Sequence, residues 1–297
     1  MKSKKVFIIA EAGVNHNGSL KLAKKLVDIA KKAGADAVKF QTWKTENLVS
    51  KKSKLANYQK KNTSENNQFD MLKKLELSYK EFDNLITYCS KKNIEFMSTA
   101  DDMDSAHFLK NKQNYFKIGS GEIDNFPFID LICSFKKKII LSTGCSSIKD
   151  IDELFYFLKK INFDLNKLTL LHCTSSYPAP YQDVNLNVIK TLLKYKTNVG
   201  FSDHTIDYIS SIGAIALGAT VIEKHFTISR KLKGPDHKMS LNPKQLETFI
   251  KHIRNFEISL GSFNKKITRS EKQNLKIIRK NIFKNINIKK NQKITIN

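Results

Sequence analysis

Two histidines stand at the ends of short apolar runs, in Asn198-Val-Gly-Phe-Ser-Asp-His204 and Thr220-Val-Ile-Glu-Lys-His225. The stretch between them, Ile209–Gly218, is apolar, rich in small residues and of crossover-helix length. A strand–helix–strand unit makes its two strands parallel and neighbouring, about 4.8 Å apart. His204 and His225 then project from the same end of adjacent strands, where two neutral imidazoles can share one divalent ion. The plain alternative is a pair of hydrogen-bonded histidines; the matching strand ends favour the metal.

The other apolar runs end in polar residues as well. In chain order these are Glu11; Lys39 and Gln41; Thr99; Lys117, Ser120 and Glu122; Ser142; Ser175; Ser202 and His204; and His225. Alternation places Lys39 and Gln41 on one face of their strand and Val38 and Phe40 on the other, and it pairs Ser202 with His204. Lysines and serines beside Gly119, Gly121 and Gly144 suit a phosphate or carboxylate held by ammonium groups, hydroxyls and backbone N–H. A single serine there is an ordinary strand-end hydrogen bond. Two lysines, a glutamate and two histidines together exceed what stability requires.

The elements that must position these groups follow one rhythm. Strand-like runs at Val6–Ala12, Ala37–Thr42, Glu95–Thr99, Tyr115–Ser120, Lys138–Thr143, Leu168–Thr174, Asn198–Ser202 and Thr220–Phe226 alternate with amphipathic segments. The amphipathic segments include Leu20–Ala33, Tyr79–Lys92, Ile148–Lys160, Leu186–Lys194 and Pro243–Leu260, with apolar residues at i, i+3, i+4. The pattern predicts an α/β fold, a (β/α)8 TIM barrel over residues 1–261, whose strand C-termini carry the chemistry. A doubly wound open sheet is disfavoured because no GxGxxG follows the first strand. Trp43–Asp70, polar and following the second strand, is expected to be a lid or interface loop over the catalytic face. Residues 262–297 turn polar and basic, and Ile286–Asn297 alternates like one or two strands of a unit too short to fold alone.

Composition narrows the class. The chain has 297 residues, 40% of them hydrophobic, with no apolar run near the roughly 20 residues of a membrane span. Val6–Ala10 is too short for a signal peptide. Cys89, Cys133, Cys145 and Cys173 are far apart and form no CxxC pair, as expected of a cytoplasmic protein. The net charge of +24 raises nucleic-acid binding. The lysines are scattered as pairs over helices, without a clustered arm or interleaved aromatics, so no nucleic-acid or membrane partner is expected. A positive field would still draw in an anionic small substrate.

Glu11-Ala-Gly-Val-Asn-His-Asn-Gly18, Val38-Lys-Phe-Gln-Thr42, Phe116-Lys-Ile-Gly-Ser-Gly-Glu122, Leu141-Ser-Thr-Gly144, His172-Cys-Thr-Ser-Ser-Tyr-Pro-Ala-Pro180, Gly200-Phe-Ser-Asp-His-Thr205, Glu223-Lys-His-Phe-Thr227 and Gly234-Pro-Asp-His237 occur in collinear order. Together they resemble the sialic acid synthase family, and the Lys39, Lys224 and Gly234 segments are more similar to its legionaminic-acid branch than to the N-acetylneuraminate branch. The resemblance implies condensation of phosphoenolpyruvate with an N-acylated mannose-type aldose to a nine-carbon 2-keto acid. It implies Mn2+ or Mg2+ on His204 and His225. Lys39, Thr99, Lys117, Ser120, Ser142, Ser175 and Ser202 would hold phosphoenolpyruvate, while Glu11, Gln41, Tyr177 and Asp236 would face the sugar. Another aldose, such as a pseudaminic-acid precursor, is the rival substrate. Thr99-Ala-Asp101 departs from the family's Thr-Pro-Phe. Family members end in an antifreeze-like domain that reaches the partner subunit of a homodimer. Residues 262–297 resemble a short C-terminal remnant of it, with the alternating Ile282, Ile286, Ile288, Ile294 and Ile296 as a docking face.

Overall fold

The computed structural model describes residues 5–55, 63, 65–280 and 287–293. Eight strands close into a barrel in sequence order: β1 (Phe7–Gly13), β2 (Ala37–Thr42), β3 (Glu95–Ala100), β4 (Tyr115–Ile118), β5 (Lys138–Ser142), β6 (Leu168–Cys173), β7 (Asn198–Asp203) and β8 (Val221–His225). Every neighbouring pair is parallel, and β8 closes the ring on β1.

The principal connecting helices are α1 (Leu20–Ala33), α2 (Tyr79–Lys91), α3 (Met103–Leu109), α4 (Phe126–Ser134), α5 (Ile148–Lys160), α6 (Val188–Leu192), α7 (Ile209–Ala216) and α8 (Pro243–Leu260). Their boundaries follow local chemistry. The Ser19 side chain accepts from the Leu22 N–H at the start of α1, and Gly34 ends it at φ 88°, a conformation that favours glycine. The α3 and α4 helices belong to the expected strand–helix alternation, but no amphipathic segment marks them in the sequence. Phe126-Pro-Phe-Ile-Asp-Leu-Ile-Cys-Ser134 is almost wholly apolar, so its period of 3.6 does not show in the sequence.

Strand alternation sorts the apolar residues into two cores. Val38, Phe40, Phe116, Phe201 and Ile222 face outward and pack against the helices. Ile9, Ala37, Met97, Ile140, Leu171 and Val221 form a separate cluster inside the barrel. Two residues further along each of these strands lies the next inward position. Those positions hold Glu11, Lys39, Thr99, Ser142, Cys173 and Glu223. The apolar interior is the floor of a polar layer.

Two expectations need correction. β4 stops at Ile118, and Ser120–Glu122 form a 3-10 turn closed by the Glu122 N–H on Gly119 O at 3.1 Å. The Trp43–Asp70 insertion is not simply a polar loop. Thr45–Leu48 and Gln68–Leu75 are helical, and Trp43 is buried with Val14, Leu55, Met71 and Leu75 in a small apolar cluster of its own.

Contacts group Lys4–Leu260 as one compact unit and the chain from Gly261 onward as another. In the second unit Arg269–Lys272 and Leu275–Ile278 are single helical turns. The segment Asn287–Lys293 contains a turn, with the Gln292 N–H on Lys289 O at 3.0 Å, and the rest of the Ile286–Asn297 stretch lies outside the described residues. Ile282, Ile286, Ile294 and Ile296 lie outside the described residues. Among the described residues no helix is long and apolar enough to cross a membrane.

Candidate active site

The polar layer is organised around Lys39. Its ammonium lies 2.8 Å from Glu11 Oε2 and 3.6 Å from Glu223 Oε2, and it donates to Thr99 Oγ1 at 3.2 Å. Burial works against the lysine's charge, but the two carboxylates outweigh it and raise its pKa. The two carboxyls diverge. Burial, opposed by Lys39 and aided by Glu223, pushes Glu11 up to about 8. Burial also disfavours the charged form of Glu223, yet Lys39 and Lys117 prevail and hold it at about 2. The shared surroundings thus favour the proton on Glu11 and the charge on Glu223. Lys117, at the end of β4, donates to Ile118 O at 3.3 Å, and burial lowers its pKa.

A hydroxyl-lined cradle adjoins the lysines at β5 and β6. Ser120 Oγ and Ser175 Oγ are 3.3 Å apart. A Cβ placed on Gly144 would stand 2.2 Å from Ser175 Oγ, 2.9 Å from Cys173 Sγ and 3.2 Å from Ser120 Oγ. The absence of a side chain at Gly144 keeps this concavity open.

His204 and His225 meet at the rim. Their ring centroids are 5.8 Å apart, and the Tyr177 ring lies 4.2 Å from His204 and 5.9 Å from His225. His204 Nδ1 donates to Thr174 O at 2.7 Å, which leaves the lone pair of the neutral ring on Nε2. Ser202 Oγ lies 3.3 Å from that nitrogen, but its hydroxyl has the ionised Glu223 Oε1 at 3.0 Å to donate to. His225 Nδ1 is buried without a hydrogen-bond partner in the protein. Burial lowers the pKa of His204, and for His225 burial and the facing His204 lower it further. Two neutral imidazoles with free lone pairs fit a divalent ion that takes its remaining ligands from oxygen. Among the described residues there is no group of three or more His, Cys, Asp or Glu placed to hold a metal.

Asp236 reaches this rim from the loop after β8. The point where a Gly13 Cβ would sit lies 3.3 Å from Glu11 Oε1, 3.7 Å from Asp236 Oδ2 and 3.7 Å from His225 Cε1. Burial raises Asp236 to about 6. Its loop is fastened to the β1–α1 loop. Asn15 Nδ2 donates to Phe226 O and Ser240 Oγ, Asn17 Nδ2 to Lys233 O, and the His237 ring bridges Thr227 Oγ1 and Asn17 Oδ1.

The layer thus brings together Glu11, Lys39, Thr99, Lys117, Ser142 and Ser202. Ser120 and Ser175 line the cradle, and His204, His225, Tyr177 and Asp236 the rim. Gln41 is half-buried opposite Thr99 in the strand register. Glu122 stands apart: its carboxylate accepts from Asn125 Nδ2 at 2.6 Å, and it shares a cleft with Asp101, Asp102 and Asp104. Sequence reasoning missed Glu223 and Cys173. Both were legible by counting back two residues, from His225 and from Ser175, along strands whose inward parity was already set.

A family model described as NeuB matches residues 26–265. The chain is 46% identical to an N,N'-diacetyllegionaminic acid synthase of Campylobacter jejuni, covering 97% of this chain and 87% of that protein. It is 45% identical to the N,N'-diacetyllegionaminic acid synthase of Legionella pneumophila, over 93% and 79% of the two chains. A crystal structure of an N-acetylneuraminic acid synthetase from Leptospira borgpetersenii superposes with a TM-score of 0.80 at 34% identity, covering 92% of this chain and 91% of that one.

Proposed function

The chain belongs to the NeuB family, and from that premise we propose that it condenses phosphoenolpyruvate with 2,4-diacetamido-2,4,6-trideoxymannose to N,N'-diacetyllegionaminic acid and phosphate. Family membership makes it a carbon–carbon bond-forming transferase of the phosphoenolpyruvate-dependent nonulosonic acid synthase type. The choice of aldose is supported by the two legionaminic acid synthases at 46% and 45% identity.

The observation that carries the reading is the arrangement around Lys39 of two buried carboxyls, Glu11 and Glu223, beside a second buried lysine, Lys117. Lys39 and Lys117 counter the charges of carboxylate and phosphate, and Thr99, Ser120, Ser142, Ser175 and Ser202 hold the donor's oxygens. Mn2+ or Mg2+ on His204 and His225 would polarise the aldehyde as a Lewis acid. The enol C3 bonds to the aldehyde carbon, and Glu11 delivers its proton to the aldehyde oxygen. Positive character at C2 faces the ionised Glu223. Water adds at C2; one of its protons restores Glu11 and the other leaves with the phosphate as the C2–O bond breaks, giving the 2-keto acid. Gln41, Tyr177 and Asp236 complete the proposed sugar contacts; Glu122, bonded to Asn125 in its own cleft, is left out of them.

The test is mass spectrometry of products from phosphoenolpyruvate with one pure aldose at a time: the diacetamido aldose, its pseudaminic-acid counterpart and N-acetylmannosamine. The first should give product fastest. Preference for either of the others would overturn the assignment. We also propose a homodimer, so sedimentation should give about twice the 34.0 kDa chain mass; a monomer would refute it.

A further inference from the structure

Behind the two histidines, on the helix-facing side of the barrel wall, β7 and β8 exchange a second pair of side chains. Asp203 and Lys224 are register partners, and each immediately precedes a histidine. Because Ser202, His204, Glu223 and His225 face inward, alternation turns Asp203 and Lys224 outward. Lys224 Nζ lies 3.1 Å from Asp203 Oδ1, with the side chains 2% and 0% exposed. The same ammonium donates to Thr205 O at 2.6 Å.

The carboxylate is fully engaged. Asp203 Oδ1 accepts from the Thr205 N–H at 2.9 Å and its hydroxyl at 2.7 Å, and Oδ2 accepts from the Ser211 hydroxyl of α7 at 2.5 Å. Asp203 therefore reaches across His204 to bond the residue beyond it. Lys224 reaches from the residue before His225 to the carbonyl of the residue after His204. Both links enclose the segment that carries the His204 ring, whose Nδ1 is held from a third strand end by Thr174 O. A buried ion pair is a poor means of adding stability, since a packed apolar pair does as well or better. What it adds is direction: its bonds are satisfied in one arrangement of the two strand ends.

We propose that Asp203 and Lys224 are positioning residues that set the separation and orientation of His204 and His225, and thereby the affinity for the divalent ion. The inference rests on the metal reading given above. Partners of this kind outside the ligand set typically change metal affinity about tenfold to a hundredfold.

The experiment is calorimetric titration of the metal-stripped, full-length protein with Mn2+, without substrates. Wild-type binding that is lost in His225→Ala supports the metal reading; absence of binding in wild type overturns that reading and this inference with it. The double variant Asp203→Leu/Lys224→Met leaves no uncompensated charge. It should melt within several degrees of wild type yet bind Mn2+ about tenfold or more weakly, and Lys224→Arg should recover part of the loss. Wild-type affinity in a folded double variant overturns the inference although the metal reading stands. If the double variant does not fold, Ser211→Ala decides: it frees Asp203 Oδ2 without changing any charge, so a severalfold weaker site supports the inference and an unchanged one overturns it.

Discussion

The Lys39 ammonium lies 2.8 Å from Glu11 Oε2, and both side chains are almost wholly removed from solvent. Glu223, 3.6 Å from the same nitrogen, makes a second claim on its charge. Two carboxyls with one adjacent cation cannot both ionise cheaply in a buried layer. The proton is favoured on Glu11, which burial pushes up, while Lys39 and Lys117 hold Glu223 down against its own burial.

Removing that cation should be costly twice. Lys39→Met leaves Glu11 and Glu223 facing each other without their shared partner, and breaking a buried pair from one side costs about 3–5 kcal/mol. Denaturant unfolding should show a loss of that order, and phosphoenolpyruvate turnover should fall to background. A variant with wild-type stability would mean that the two carboxyls are neutralised by something other than Lys39.

The Glu11 proton sets an expectation for pH. Its pKa rises from the ordinary 4.5 to about 8 on folding, so between those values the folded chain holds a proton that the unfolded chain has lost. The contribution of this group to stability is complete at pH below 4.5 and is lost as pH rises through about 8. If the same proton goes to the aldehyde oxygen, kcat should fall above pH 8. Glu11→Gln should lose about 10²–10⁴ in kcat and with it the basic limb of the profile. Persistence of that limb in Glu11→Gln would assign it to another group.

The barrel and most of its mouth were legible because alternation in β2 and β7 is strict: Lys39 and Gln41, then Ser202 and His204, announce the inward face. Glu223 was hidden in Val221-Ile-Glu-Lys-His225, where β8, buried on both sides, reads as an apolar run that ends in charges. Trp43 was read as part of a polar loop because its partners Val14, Leu55 and Met71 are scattered through the sequence. The clasp of Asn15, Asn17 and His237 could not be read at all. Its bonds join loops more than two hundred residues apart, and nothing local marks them.

That clasp predicts a specific acid sensitivity. Burial lowers His16 and His237 from 6.5 to about 4, and for His16 the nearby His237 adds to the shift. Between those values the unfolded chain binds protons that the folded chain refuses. Stability from these groups is therefore full above pH 6.5 and declines as pH falls toward 4, by on the order of 2–3 kcal/mol per histidine. His237→Gln, which cannot be protonated, should be less stable at neutral pH but lose less between pH 6.5 and 4. Urea titrations at a series of pH values measure both slopes, and identical slopes would exclude His237 as a source of the acid loss.

Gly144 provides the sharpest separation of fold from function. A Cβ there would meet Ser175 Oγ at 2.2 Å, Cys173 Sγ at 2.9 Å and Ser120 Oγ at 3.2 Å. All three atoms are the ends of side chains, so the backbone need not move to admit the methyl group. Ser175 must swing aside, and the cradle loses a hydroxyl and part of its concavity. Gly144→Ala should therefore unfold within a few degrees of wild type while its KM for phosphoenolpyruvate rises about tenfold, the loss of roughly one hydrogen bond to a charged oxygen. The aldose KM should move less, because Gln41, Tyr177 and Asp236 lie beyond these three contacts. An equal rise for both substrates would show that the methyl group has shifted the barrel mouth as a whole, and an unchanged donor KM would place the phosphate elsewhere than between β5 and β6.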